Sequence, residues 1–244
     1  EDVSTDILVP NEGEETREMA RLEAVELIKT PAGETVIDFG QNLVGYVEWL
    51  VPAKKGREFK LYHAEVLDKD GNFYTTNLRG AKAEIKVVSD GNEHKFKPTF
   101  SYQGFRYIKL VEYPKAEVDL SSFCAIAVNS DMKRTGKYHT GNAKINQLYH
   151  NVIWGQKSNY LDIPTDCPQR DERLGWTGDA QVFCRTAAIN FDVEKFFKKW
   201  LGDVAIEQDE LGGAVGGFVP RPFEYYGKIR AAWGDVACIA PWEI

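Results

Sequence analysis

Residues Asp166–Asp179 read DCPQRDERLGWTGD. Four carboxylates (Asp166, Asp171, Glu172, Asp179) share this stretch with Arg170, Arg173, Pro168, Gly175, Gly178 and Trp176. Proline and glycine make a helix interior costly, and a strand would waste the charges, so a long structured loop is expected. Ordered loops with this much chemistry usually carry function.

The sequence on either side has two different periods. From Thr35 to about Val128 apolar residues alternate: Val47, Trp49 and Val51 share one parity, Phe59, Leu61 and His63 another, and Phe105, Tyr107 and Val111 a third. Period two marks half-buried strands. Turn formers separate the runs at Pro31-Ala32-Gly33, Lys55-Gly56, Asp70-Gly71 and Asp90-Gly91, and Asp-Gly between alternating runs is a hairpin signal. An antiparallel β-sandwich of about eight strands is expected over residues 1–130.

After Ser130 the period becomes helical. Ile145, Leu148, Tyr149, Val152 and Ile153 repeat at i, i+3, i+4, i+7 and i+8, behind Asn142 at an N-cap position. The pattern recurs at Ala180, Phe183, Cys184, Ala187 and Ala188 with Thr177 as the expected cap. It recurs again at Val193, Phe196, Phe197, Trp200, Leu201 and Val204 after Asp192. The acidic loop thus joins two helices, and a second Gly/Pro-rich stretch, Gly212–Asp235, is placed to lie beside it. A further helix is expected to begin at Pro241-Trp242-Glu243-Ile244. Three or four helices in residues 131–244 cannot cover their own apolar surface, so the chain is read as a fragment of a longer polypeptide.

At 244 residues, 43% hydrophobic and 12% aromatic, the chain can bury a sizeable core. A net charge of -7, with no basic run and no Gly-rich phosphate loop, argues against nucleic acid or nucleotide as partner. No segment approaches the roughly 18 uninterrupted apolar residues of a membrane span. EDVSTDILVP is not a signal peptide, which leaves cytoplasmic and exported locations both open. Cys124, Cys167, Cys184 and Cys238 have no metal-ligand spacing and are expected as reduced, mostly buried thiols. Oligomeric state is open.

Acids around one tryptophan suit a sugar. One carboxyl can protonate the leaving oxygen, other acids accept hydrogen bonds from hydroxyls, and the indole offers an apolar platform. Crowded carboxylates repel, so at least one should stay protonated near neutral pH. Two other readings stand beside this one: a solvated salt-bridge cluster with Asp179 at a helix N-terminus, and a calcium site of oxygen ligands, although the EF-hand pattern is missing.

The longer motif DCPQRDERLGWTGDAQ resembles the signature of the inverting α-L-rhamnosidases, glycoside hydrolase family 78. IDFGQNLVGYVE (Ile37–Glu48), HAEVL (His63–Leu67), DGNFYTTNLRGA (Asp70–Ala81) and FSYQGFRYIKL (Phe100–Leu110) resemble the β-sandwich domain of that family, and AAWGDVACIAPW (Ala231–Trp242) a later stretch of its catalytic domain. The resemblance implies a β-sandwich followed by the first helices of an (α/α)6 barrel that is incomplete in this chain. It implies Glu172 as general acid, Asp166 and Asp179 as binders of rhamnose hydroxyls, and Trp176 against the C6 methyl. Arg170 and Asp171 match the motif with structural or ligand-orienting roles, and Trp233 and Asp235 are second contributors. A WGD turn can also be simply a packed aromatic before a helix cap.

The family's general base is a glutamate on a later loop, expected beyond residue 244. Glu207, Glu210 and Glu224 sit in no matching motif. No metal or organic cofactor is implied, and the partner is a rhamnose-containing glycoside or oligosaccharide. The NLRGA motif (Asn77–Ala81) is expected as a turn with a buried ion pair. Removal of terminal α-L-rhamnose is the leading function. A non-catalytic carbohydrate-binding module and another inverting glycosidase on the same barrel are the alternatives.

Overall fold

The computed structural model describes residues 4–114, 118–222 and 229–244. Eight strands, β1 (Thr16–Glu23), β2 (Glu26–Lys29), β3 (Thr35–Val51), β4 (Glu58–Ala64), β5 (Glu84–Val88), β6 (His94–Phe96), β7 (Gln103–Val111) and β8 (Phe123–Ser130), come first. They form one antiparallel sheet of order β1-β8-β3-β7-β4-β5, with β2 and β6 also paired to β3. The expected sandwich is therefore a single curled sheet that wraps its own core. Trp49, Phe59, Phe105 and Phe123 fill it, with Trp49 stacked on Phe123 at 6.4 Å and edge-on to Phe59 at 6.3 Å.

The curl is centred on β3. Between Asp38 and Leu43 it advances five residues while β7 advances only two, from Tyr107 to Phe105. Gly40, at φ +74°, sits in this bulge, where a left-handed backbone suits glycine. Beyond the bulge β3 exchanges β2 for β8 along one edge, and Gly45 lets the two strands meet: a Cβ there would stand 1.8 Å from the Ile126 carbonyl oxygen.

The bulge also corrects one parity. Val47, Trp49, Val51, Phe59, Leu61 and His63 are buried as expected, but on β7 Ile108 and Leu110 lie inside and Tyr107 and Val111 are part-exposed. Opposite the slip, β7 turns its other face inward after Phe105. The Asp-Gly signals are corrected too. Asp70-Gly71 closes only an isolated bridge, Leu67 to Phe73, and Asp90-Gly91 links β5 and β6, which pair with different strands.

Among the described residues five helices follow: α1 (Ala143–Asn159), α2 (Thr177–Asn190), α3 (Glu194–Glu210), α4 (Ala231–Gly234) and α5 (Val236–Glu243). Asn142 caps α1, its side chain accepting from the Lys144 and Ile145 amides. The other expected caps differ. Trp176 holds the N-cap position of α2, and Thr177, inside the helix, directs its hydroxyl to the Gly216 and Gly217 carbonyls at 3.0 Å each. Val193, not Asp192, precedes α3. The last helix begins at Val236 rather than at Pro241, which lies inside it.

The helices share a second core around Tyr160, Phe196, Phe197 and Trp200, with Tyr160 stacked on Phe196 at 4.7 Å. On α1, however, Ile145 and Leu148 face outward.

Candidate active site

After α1 the chain makes a two-residue hairpin, β9 (Tyr160–Leu161) with β10 (Ile163–Pro164), and then the loop 165–176. The loop closes on itself through the Asp166 amide, which donates to Leu174 O at 2.9 Å. Glu172 staples it from within. Its Oε2 accepts from the Cys167 amide at 3.0 Å, and its Oε1 from the Leu174 amide at 3.2 Å and from Trp176 Nε1 at 2.5 Å. The carboxyl is thus fixed in place by three N–H donors on its own loop.

The Gly217–Val219 part of the second Gly/Pro-rich stretch lies beside this loop, as expected. The Val219 amide donates to Gly175 O at 2.9 Å, Thr177 N to Gly217 O at 3.0 Å, and Phe218 meets the Trp176 ring edge-on at 5.1 Å. A Cβ on Gly175 would stand 2.3 Å from Val219 O, so the two segments touch backbone to backbone.

Ligand-capable atoms of Asp166, Cys167 and Glu172 lie within 4.8 Å of one another. The Cys167 thiol donates to Asp166 Oδ2 at 3.0 Å, and burial together with that bond pushes it up to about 12. A sulfur that keeps its proton, beside a glutamate already accepting three N–H bonds, fits a hydrogen-bonded cluster better than a cation cage. Crowding acts on Asp179: burial first, then the charge of Asp166 and, less, of Glu172, raise its carboxyl above the ordinary range. The carboxyl held toward its protonated form is therefore Asp179.

Asp166, Asp179 and Trp233 line a cavity of ≈ 660 Å³ between α1, α2 and the 232–233 turn. Gly178 admits the indole of Trp233, whose ring atoms would lie 2.7 Å from a Cβ there. The Arg230 guanidinium joins the two tryptophans, 5.7 Å from the Trp176 ring and 5.3 Å from that of Trp233. Three buried polar atoms on residues of this wall, Tyr160 OH, Gln181 Oε1 and Trp233 Nε1, have no hydrogen-bond partner among the described residues. The motif reading missed Tyr160, Gln181 and Arg230. The spacing of Tyr160 and Gln181 looks like core packing, and only the fold brings them to the cavity wall and Arg230 to the two tryptophans.

The structure brings together Asp166, Glu172, Trp176, Asp179 and Trp233. Two other expected residues point elsewhere. Asp171 bonds to the β half, Oδ1 to Arg79 Nε at 2.8 Å and Oδ2 to the Gly80 amide at 3.1 Å. Although partial burial opposes it, the Gly80 N–H and the Arg79 charge hold the Asp171 carboxyl below its usual range. Arg79 and Asp171 are 51% and 44% exposed, so the ion pair expected for NLRGA exists but is not buried. Asp235 is exposed at the start of α5, makes no side-chain cap bond and lies outside the cavity wall. Arg170 keeps a buried Nε with no partner among the described residues.

Glu207 and Glu210 are bound to Arg221, at 2.7 Å and 2.8 Å, and Glu224 lies outside the described residues. All four cysteines are free, but only Cys124 and Cys184 are buried. Cys167 is intermediate and Cys238 is exposed, on the outer side of α5.

Residues 28–129 match the bacterial alpha-L-rhamnosidase concanavalin-like domain, and residues 133–244 the bacterial alpha-L-rhamnosidase 6 hairpin glycosidase domain. An alpha-L-rhamnosidase of Formosa agariphila is 39% identical over 225 residues, 91% of this chain and 24% of that protein. One from Streptomyces avermitilis is 37% identical over 91% of this chain and 22% of its own length. Among solved structures, the native enzyme of Aspergillus terreus superposes with a TM-score of 0.93 at 36% identity, covering 99% of this chain and 28% of that one. The Streptomyces avermitilis enzyme complexed with L-rhamnose gives 0.90 at 35% identity, over 97% and 23%. The chain spans about a quarter of the length of the relatives it matches.

Proposed function

Since the chain belongs to the bacterial α-L-rhamnosidase family, we propose that the whole protein removes terminal α-L-rhamnose from glycosides or oligosaccharides with inversion, and that Glu172 is its general acid. The observation that carries the assignment is the fixing of Glu172: three N–H donors, one of them Trp176 Nε1, set its carboxyl beside Asp166, which lines a cavity together with Asp179 and Trp233. Residues 1–130 form the sandwich domain and residues 131–244 the first part of the catalytic domain.

In this reading Glu172 passes its proton to the leaving-group oxygen as the glycosidic bond breaks. Asp166 and Asp179 receive the hydroxyls of the sugar, and the Trp176 and Trp233 rings meet its apolar face. Inversion needs a water between the acid and a second carboxylate, roughly 6.5–9.5 Å apart. The family resemblance puts that second carboxylate on a later loop, and Glu207 and Glu210, each paired with Arg221, are not assigned the role. Arg170 and Asp171 hold the loop, whereas Asp235, exposed and outside the cavity wall, is assigned no part in binding.

In the complete protein, Glu172→Gln removes the transferable proton while preserving shape. Release of aryl alcohol from an aryl α-L-rhamnoside is expected to fall by about 10²-fold or more. Unchanged release would overturn the assignment of the acid.

A further inference from the structure

The acid's loop is held on both sides of Glu172 by the β half of the chain. Asp171 reaches Arg79 and Gly80, and Arg173 donates to the Tyr102 carbonyl at 2.8 Å with its guanidinium 4.3 Å from the Tyr102 ring. A third contact is steric: a Cβ on Gly104 would stand 2.5 Å from the Gln169 Cβ and 2.9 Å from its Cα. Residues 169, 171 and 173 thus turn to the sheet, while the intervening Glu172 turns back to Trp176 and the acids.

The platform is rigid. Gly104 lies in β7, paired with Val44, and Leu78, next to Arg79, is buried at 1% exposure. Arg79 itself holds φ +55°, a left-handed backbone that a non-glycine residue keeps only when its surroundings impose it. A half-exposed ion pair adds little to stability. Its two-oxygen geometry instead fixes direction: one Asp171 oxygen is held by a side chain and the other by a backbone amide.

We infer that Arg79, Tyr102 and Gly104 are positioning residues for the reaction, a sheet-borne clamp that aims Glu172 at the leaving-group oxygen. The inference rests on Glu172 being the general acid. It implies that the β half acts in the proton-transfer step and not only in packing. Misplacing an acid by about 1 Å costs on the order of 10²-fold, and the loss falls on substrates whose departing oxygen needs the proton.

The test uses the complete protein with two substrates, methyl α-L-rhamnoside, whose leaving group needs protonation, and 2,4-dinitrophenyl α-L-rhamnoside, whose leaving group does not. Arg79→Ala is expected to lower kcat on the methyl glycoside by about 10²-fold, with the dinitrophenyl glycoside and both KM values within about threefold. Arg79→Lys should restore part of the loss. Gly104→Ala, which displaces Gln169 without touching a charge, should show the same asymmetry, and it keeps the test open if Arg79→Ala fails to fold. Equal losses on the two substrates, or none, in variants with unchanged melting temperature overturn the clamp. Glu172→Gln is run alongside. If it shows no leaving-group dependence, the general-acid reading fails first and the clamp falls with it; if it does, the clamp variants are judged alone.

Discussion

Single carboxyls in this site owe their behaviour to neighbours that lie far apart in sequence or on the other side of a turn. Asp179 is raised by burial and then by the charge of Asp166. Asp166→Asn removes that charge, so Asp179 should ionise at a lower pH; a carboxyl titration followed by NMR checks this, and an unmoved midpoint would mean that burial alone sets it. Cooperation of another kind appears at His63 in the β-side core, fully buried with Nδ1 2.8 Å from Ala83 O, where burial pushes it down to about 4. Its folded value lies below the unfolded one, so acid draws protons to the unfolded chain. Stability from the neutral ring is complete above about pH 6.5 and is lost as pH falls from there toward about 4. Denaturant midpoints of His63→Gln across this window should flatten the decline by about 1 kcal/mol per pH unit.

Individual elements were legible to different depths. Asn142 was readable as a cap because an N-cap depends on local chemistry alone, and Asn142→Ala should cost ~1 kcal/mol in a thermal melt. Thr177 looked identical in type but serves the tertiary structure, its hydroxyl spent on carbonyls some forty residues ahead. The strand pattern of β3 was visible, whereas the inward face of β7 was not. A bulge in β3 decides which β7 side chains enter the core, and a partner's bulge leaves no trace in the period of the strand opposite. The same limit hid the hairpin partners of Asp90-Gly91, since a turn signal says that the chain reverses and not where the next strand docks.

Across the whole molecule there are two aromatic cores, and the acid's loop reaches from the helical side to the sheet through Asp171 and Arg173. One is wrapped by the curled sheet, the other held between α1, α2, α3 and α5. The helical side displays Ile145, Leu148, Val182, Ile189, Ile206 and Trp242, in keeping with the apolar surface expected from so few helices. The 244-residue chain should therefore bind a hydrophobic dye such as anilinonaphthalene sulfonate. Leu148→Lys together with Val182→Lys should lower the fluorescence without changing the melting temperature; an unaltered signal would place the dye elsewhere.

The sequence by itself determined the two-part architecture, the change from alternating to helical periodicity, and the acid-and-tryptophan loop with Glu172 and Trp176 four residues apart. These are short-range properties of residue type and spacing. Tertiary structure alone decided that Asp171 belongs to Arg79 and Gly80, that Asp179 carries the raised carboxyl, that Trp233 slots against Gly178, and that Tyr160 and Gln181 present unpaired polar atoms. Each of these depends on the burial and distance of groups from separate elements, and electrostatics and packing act through space, where sequence separation carries no information.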